Sequence, residues 1–331
     1  MILFLFGYYF QVCSEMSDKN FTGLQVTEFI LTGSDQLSNQ MILGLLILIT
    51  YSLILLGCSI NICIITSDRL LHRPMYIFIC NLAVIDIMFT TSASTTLIAL
   101  LLAGVRNISY HSCISRMFVY NLGDICLCFA LTLMAFDRVI AISNPLRYHS
   151  ILTNSRTFAL LALSWLVALT AAGVLAGITD RLPYCQPIIK YSFCDYAALV
   201  RAACVDPEPY FMFTTILAMW LLGGHFPLIL ATYVKIIYTV ARLTNTAGRK
   251  QMLSTCLSHA IVVFCFYFPK LILVLLTRVG VTLNLTERNA LLTASTLLPS
   301  LMNPVVYFFR TKEIRNVLVM GILFILKMNS K

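Results

Sequence analysis

An all-α membrane fold, a bundle of seven transmembrane helices, is what this sequence predicts, on three observations. Apolar residues fill 59% of its 331 positions and charged residues only 11%, with a mean hydropathy of +0.87. A soluble surface needs more charge than that. Seven long apolar stretches recur from end to end, and the basic residues gather on one side of them.

Each element follows from the thickness of a bilayer. About 20 apolar residues cross ~30 Å of hydrocarbon as a helix. Stretches at 41–66, 74–102, 113–142, 157–178, 210–240, 252–277 and 288–309 meet that length. Hydrocarbon offers no hydrogen bonds, so each must close its own backbone bonds and coil. The chain then divides into an N-terminal segment, 1–40, a membrane domain, 41–310, and a C-terminal helix and tail, 311–331. An odd number of spans puts the two ends on opposite sides.

Charge orients the bundle. The N-terminus with the loops at 103–116, 178–209 and 278–288 holds 8 Lys/Arg and 9 Asp/Glu, whereas the other side holds 14 and 3. Asp86, Asp124 and Lys270 stay in the interior. Positive charge marks the cytoplasmic side. The tail is therefore expected in the cytosol and the N-terminus outside, with the lipid bilayer as a partner and no nucleic acid. Three Asn-x-Ser/Thr acceptors, Asn20, Asn107 and Asn284, all fall on the outer side. The apolar run Met1–Phe10 is too short to span and lacks a basic flank. Met16 is expected to be the natural start, with residues 1–15 an upstream extension.

Cysteines mark the same sides. Cys58, Cys63, Cys80, Cys126, Cys128, Cys256 and Cys265 lie in the spans or at their inner ends and read as small buried hydrophobes. Cys113, Cys185, Cys194 and Cys204 lie outside, where disulfides persist. Four cysteines allow three pairings. One at a helix top and three in one loop suggest a helix-to-loop staple plus a bridge within the loop. No histidine accompanies them, so no metal site is expected. The histidines at 72, 111, 149, 225 and 259 are scattered, and no metalloprotease, phosphate-loop or nucleophile-elbow pattern appears. Neither an enzyme nor a cofactor is expected. His225, beside Pro227, reads as a bent-helix or pocket residue.

Polar residues in the spans are the candidates for function, because each is costly in lipid and must face the bundle. In the outer half these are Arg116, Tyr120, Asn121 and Asp124 on the third span with Tyr267 and Lys270 on the sixth. Tyr120 and Asp124 are spaced i, i+4 and share a face. Asp124 and Lys270 have two readings: they pair with each other, or they receive a charged or zwitterionic ligand such as an amino acid or amine. Deeper lies a set formed by Asn61, Asp86, Asn303, Pro304 and Tyr307. It is either a structural knot or a network that repacks, since Pro304 frees a carbonyl and weakens its helix. Asp137 and Arg138 close the third span. There Arg138 is either a snorkelling surface charge or part of a lock.

Four blocks take the reading further. They are Leu71-His72-Arg73-Pro74-Met75-Tyr76, Met134-Ala135-Phe136-Asp137-Arg138 with Asn144-Pro145-Leu146-Arg147-Tyr148 after it, Ser254-Thr255-Cys256-Leu257-Ser258-His259, and Pro299-Ser300-Leu301-Met302-Asn303-Pro304 running to Tyr307. Over roughly residues 20–320 this set resembles the olfactory receptor family of rhodopsin-like G-protein-coupled receptors. It departs from the family at Val139, Ser143, Leu127 and Pro269, where a Tyr, a Cys, in many members an acid, and in most members a residue other than proline are usual. The resemblance implies a rhodopsin-like bundle in the plasma membrane. It would bind a small-molecule odorant in its outer half and activate a stimulatory, olfactory-type heterotrimeric G protein. It also implies the pairings Cys113–Cys194 and Cys185–Cys204, a resting Asp137–Arg138 pair, and Tyr233 and Tyr307 as restraints on Arg138 in the open state. The network around Asp86 would be linked by water rather than sodium, given Leu127. Pro269 would serve as a hinge. A receptor for a pheromone, hormone, amine or peptide is the alternative. A transporter would predict internal repeats or broken helices.

The topology is directly testable. A C-terminal tag is expected to be reached by antibody only after cells are permeabilised, and a glycosidase is expected to raise the mobility of the wild-type chain but not of an Asn20→Gln/Asn107→Gln/Asn284→Gln variant. Surface staining of the C-terminal tag on intact cells would reverse the assignment.

Overall fold

A computed structural model describes residues 7, 26–33, 39–242, 246–278 and 284–310; for 70, 246–255, 274, 277–278, 285 and 307–310 it describes the backbone path alone. Asn20, Met16 and the tail 311–331 lie outside the described residues. Seven long helices run in order: α1 Gln40–Ser67, α2 Pro74–Ala103, α3 Tyr110–Ser143, α4 Asn154–Asp180, α5 Glu208–Ala241, α6 Thr246–Arg278 and α7 Leu285–Arg310. Among the described residues, the first six include stretches long and apolar enough to cross a membrane. The seventh is more polar, and it turns Asn289, Thr296, Ser300 and Asn303 inward. Every helix outruns its apolar stretch at one or both ends. Hydropathy marks only the part in hydrocarbon, whereas backbone bonding carries on into the interface.

Local chemistry sets the helix ends. Pro74 opens α2 after an extended Arg73, since proline suits the first turn and disfavours helix before it. Gly104 closes α2 with φ +64°, the left-handed cap that glycine takes without strain. The α3 helix stops at Asn144, one residue before Pro145. Thr153 caps α4 by accepting from the Arg156 amide at 3.3 Å. Within α5, Leu221–His225 widens into a π-helical turn ahead of Pro227. Proline has no amide to give the preceding turn.

The core centres on α3, which packs against α2, α4, α5 and α6. By contrast Met41, Leu46, Ile49, Leu53 and Leu56 of α1 and Phe158, Leu163 and Leu166 of α4 are exposed. Apolar faces of that extent belong against lipid. Buried hydroxyls close back on their own helices. Thr90, Thr95 and Thr132 each donate to the carbonyl four residues earlier, at 2.7–2.8 Å. Between helices, Trp165 Nε1 of α4 donates to Asn81 Oδ1 of α2 at 2.8 Å.

The end that charge predicts to face outside, the outer end, carries a small cap. Strand β1 (Glu28–Leu31) pairs antiparallel with β2 (Asn107–Ser109) and parallel with β3 (Ile188–Ile189). Phe29 is fully buried between Tyr110 and Tyr184, at 5.8 and 5.1 Å. Cys113 at the top of α3 is bonded to Cys194, and Cys185 to Cys204, with Cα separations of 5.5 and 5.3 Å. A short helix, Tyr196–Ala202, fills the loop between β3 and α5.

Helices α1 and α7 meet where a side chain is missing. A Cβ on Gly57 would stand 2.6 Å from Pro304 Cβ. Replacing Gly57 with Leu is therefore expected to cost about 1–3 kcal/mol by overpacking, read as a lower melting temperature of the purified protein, whereas Gly173→Leu, which meets open space, leaves melting unchanged.

Candidate functional site

In the outer half, the side chains of α3 and α6 meet as a charge pair. Lys270 Nζ donates to Asp124 Oδ1, with the side chains 16% and 27% exposed. The ammonium also sits 3.8 Å above the Phe266 ring, one turn earlier on α6, a favourable cation–π contact. The pair is thus held on one side by an aromatic face and open on another.

The other predicted residues of this region go to different partners. Tyr120 is buried, and its hydroxyl lies 3.3 Å from Thr296 Oγ1 of α7. Its ring packs 5.0 Å from Phe89 and 5.2 Å from Phe193. Phe193 precedes Cys194, so the disulfide holds that ring over Tyr120. Arg116 donates to Thr95 and Thr96 of α2. Asn121 spends its amide on Met117 O of its own helix at 2.8 Å. Tyr267 is fully buried, its ring 5.0 Å from Phe226 of α5. Only Asp124 and Lys270 of the six engage each other.

A lid closes this end. Arg201 donates to the Tyr191 hydroxyl, and the Arg288 guanidinium stands 5.6 Å from the same ring. Burial pushes the Asp195 carboxyl above the usual carboxylate range, against the pull of Arg288. Burial likewise raises the Tyr191 hydroxyl, with Arg288 and Arg201 opposing it.

At mid-depth, Asp86 is fully buried and accepts from Ser300 Oγ and Asn303 Nδ2, both at 2.7 Å. Asn61 is buried on α1, and Pro304 abuts Gly57. Asn303 Oδ1 is buried and has no partner among the described residues. Ser300 was not singled out from the sequence, although it stands three residues before Asn303 and so shares its face. Nearby, Thr132 of α3 and His225 Nδ1 of the π-helical turn are 2.9 Å apart, with Phe129 and Trp220 each 4.9 Å from the imidazole.

At the inner end, Arg138 Nε lies 3.8 Å from Asp137 Oδ2, the two side chains 12% and 2% exposed. The Tyr148 hydroxyl donates to Asp137 Oδ1 at 2.6 Å. Burial, and then the charge of Asp137, raise that hydroxyl's pKa and keep it a donor. Tyr233 of α5 lies 2.7 Å from His259 Nδ1 of α6, so it joins those two helices. The side chain of Tyr307 lies outside the described residues. Tyr148 and His259 both stood in the motif blocks, yet no spacing rule pairs either with its partner.

Comparison with known proteins agrees with these features. The family model described as "Olfactory receptor" matches residues 46–324. Among curated relatives, Olfactory receptor 10G4 of Homo sapiens is 35% identical over 294 residues, 88% of this chain and 93% of that protein. Olfactory receptor 10G7 of Homo sapiens is 36% identical, covering 89% and 94%. Olfactory receptor 6E1 of Mus musculus is 34% identical, covering 88% and 94%.

The charge pair makes a test of its own. Stranding one charge costs more than removing both. Asp124→Ala or Lys270→Ala alone is expected to destabilise by about 1–3 kcal/mol, with Asp124→Leu/Lys270→Met within ~1 kcal/mol of wild type, as read by thermal melting in detergent. Equal losses in the single and double variants would deny the coupling.

Proposed function

Because the chain belongs to the olfactory receptor family, rhodopsin-like G-protein-coupled receptors with no enzymatic role, we propose that it binds a small-molecule odorant between α3 and α6 in the outer half of the bundle and activates a stimulatory heterotrimeric G protein at the inner end. The N-terminus faces outside the plasma membrane and the C-terminus the cytosol. The observation that carries the reading is the partly open Lys270–Asp124 pair. It ties together the two helices that must part for an inner face to open, and it sits beside Pro269 of α6.

The proposed resting state is held by three ties. Lys270–Asp124 joins α6 to α3, Tyr233–His259 joins α5 to α6, and Asp137 engages both Arg138 and Tyr148. A ligand with a charged or zwitterionic group competes for Asp124 or Lys270 and weakens the first tie. The inner half of α6 then swings about Pro269, the Tyr233–His259 contact opens, and Arg138 turns to the G protein. Tyr233 and Tyr307 restrain it there. Around Asp86, with Ser300 and Asn303 as donors, water bridges to Asn61 and repacks the network between the two ends. Energetically this is a population shift: the ligand must bind the active arrangement better than the resting one. A coupling of ~1–3 kcal/mol between the ends suffices.

A panel of odorants on cells reporting cAMP tests the scheme. Responses are expected to vanish in Arg138→Ala at matched surface expression. Asp124→Asn and Lys270→Gln are expected to move the half-maximal concentration of at least one agonist by about tenfold or more, the equivalent of ~1.4 kcal/mol. Unchanged dose–response curves for every agonist would remove the pair from the ligand site, and a signalling Arg138→Ala would remove Arg138 from the coupling.

A further inference from the structure

A cavity lies away from the Lys270–Asp124 pair, between other helices of the bundle. It has a volume of about 390 Å³ and is bounded by α1, α2 and α7, with Ser192 of the lid at its top. Its wall on α7 runs from Thr286 to Leu301. Fifteen residues of helix rise about 22 Å, so the space is a narrow slot along the helix. Polarity is graded along it. Ser192, Thr286 and Asn289 line the outer end, whereas Leu297, Leu298 and Leu301 line the inner end. Leu46 and Leu298, 57% and 42% exposed, stand at its rim. They belong to the lipid-facing surface, so the slot opens sideways to the bilayer.

Asn289 makes the slot more than a gap in packing. The residue is 5% exposed. Its Nδ2 donates to Gly33 O at 3.3 Å and to Ser192 Oγ at 3.1 Å. A backbone carbonyl only accepts, so the amide orientation is set by the Gly33 bond. Its Oδ1 is buried and has no donor among the described residues. An acceptor left unmade in an apolar site is costly. A hydroxyl supplied from the slot would satisfy it.

We propose that this slot is a binding site for a lipophilic alcohol with a single hydroxyl, reached through the bilayer. The hydroxyl donates to Asn289 Oδ1 at the interface, and the hydrocarbon lies along α7 towards the membrane centre. That is the orientation an amphiphile already adopts in the leaflet. The narrow shape favours a straight chain over a fused ring. Such an alcohol has two sources, a free aliphatic alcohol dissolved in the membrane or a membrane sterol. The site is separate from the Lys270–Asp124 pair and does not depend on the signalling scheme.

The test uses the purified full chain in phosphatidylcholine nanodiscs without G protein. Two probes are irradiated in turn, a dodecanol carrying a mid-chain diazirine and a photoreactive cholesterol, and labelled peptides are mapped by mass spectrometry. Label is expected on α1 and α7. Dodecanol is expected to compete about tenfold better than its methyl ether, the value of one hydrogen bond to a buried acceptor. Ala294→Trp fills the slot from its exposed side without touching the Asn289 bonds, and is expected to cut labelling roughly fivefold or more. Asn289→Leu is expected to abolish the difference between alcohol and ether. Which probe labels identifies the source. Equal competition by alcohol and ether on the wild type, undiminished label in Ala294→Trp, or label confined to α3 and α6 would each overturn the proposal, whatever the cAMP experiment returns.

Discussion

Inside hydrocarbon a polar atom has no solvent to fall back on, and the arrangement of this bundle follows from that constraint. Most polar side chains in the spans are turned back onto their own helix or carried to a partner helix, and Thr132 does both. Thr90, Thr95, Thr132 and Asn121 take the first course. Asp86, Asp124, Lys270, Trp165 and Tyr233 take the second, and each ties two helices together. Apolar contacts alone would set these helices only loosely, because lipid tails are as apolar as leucine. The few polar ties therefore decide which helix faces which.

The same ties divide into two kinds. Asp86 is fully buried with two short donors on α7, and Trp165–Asn81 joins two helices that carry no internal proline. These anchor the frame. Lys270–Asp124 and Tyr233–His259 instead join α6, which contains Pro269, to α3 and α5. In α5 the π-helical turn at Leu221–His225 and Pro227 break the regular ladder beside the Thr132–His225 contact. The bundle is thus braced from α2 to α4 and α7 and interrupted on the α5–α6 side.

Much of this was legible in the sequence, and the reason is physical. Hydropathy reports burial in lipid directly, so the seven spans could be read to within six residues. The rarity of charge in the spans made Asp86, Asp124 and Lys270 visible one by one. Their partners were less visible. Ser300 is a common residue in helices and carries no charge to draw notice. Tyr148 and His259 reach their partners across a turn or another helix, which no linear spacing encodes. The sheet escaped notice entirely, since strands of two to four residues are too short for a period-two pattern to emerge. Arg116 and Asn121 stand on α3 with bonds to Thr95, Thr96 and Met117 that their spacing does not announce.

That sheet bears on how the chain is made. Ile30 of β1 pairs with Ile188 of β3, which is not yet synthesised when β1 leaves the ribosome. At ~5–20 residues per second the 158 residues between them take roughly 8–30 s. Four helices must enter the membrane in that interval, and Cys113 must wait 81 positions for Cys194. The outer cap consequently cannot close until four helices have been made, although its first strand precedes all of them. Until then Phe29 lacks the Tyr184 ring, and β1 lacks the strand that covers its parallel edge. One small sheet thus binds together chain segments separated by four helices.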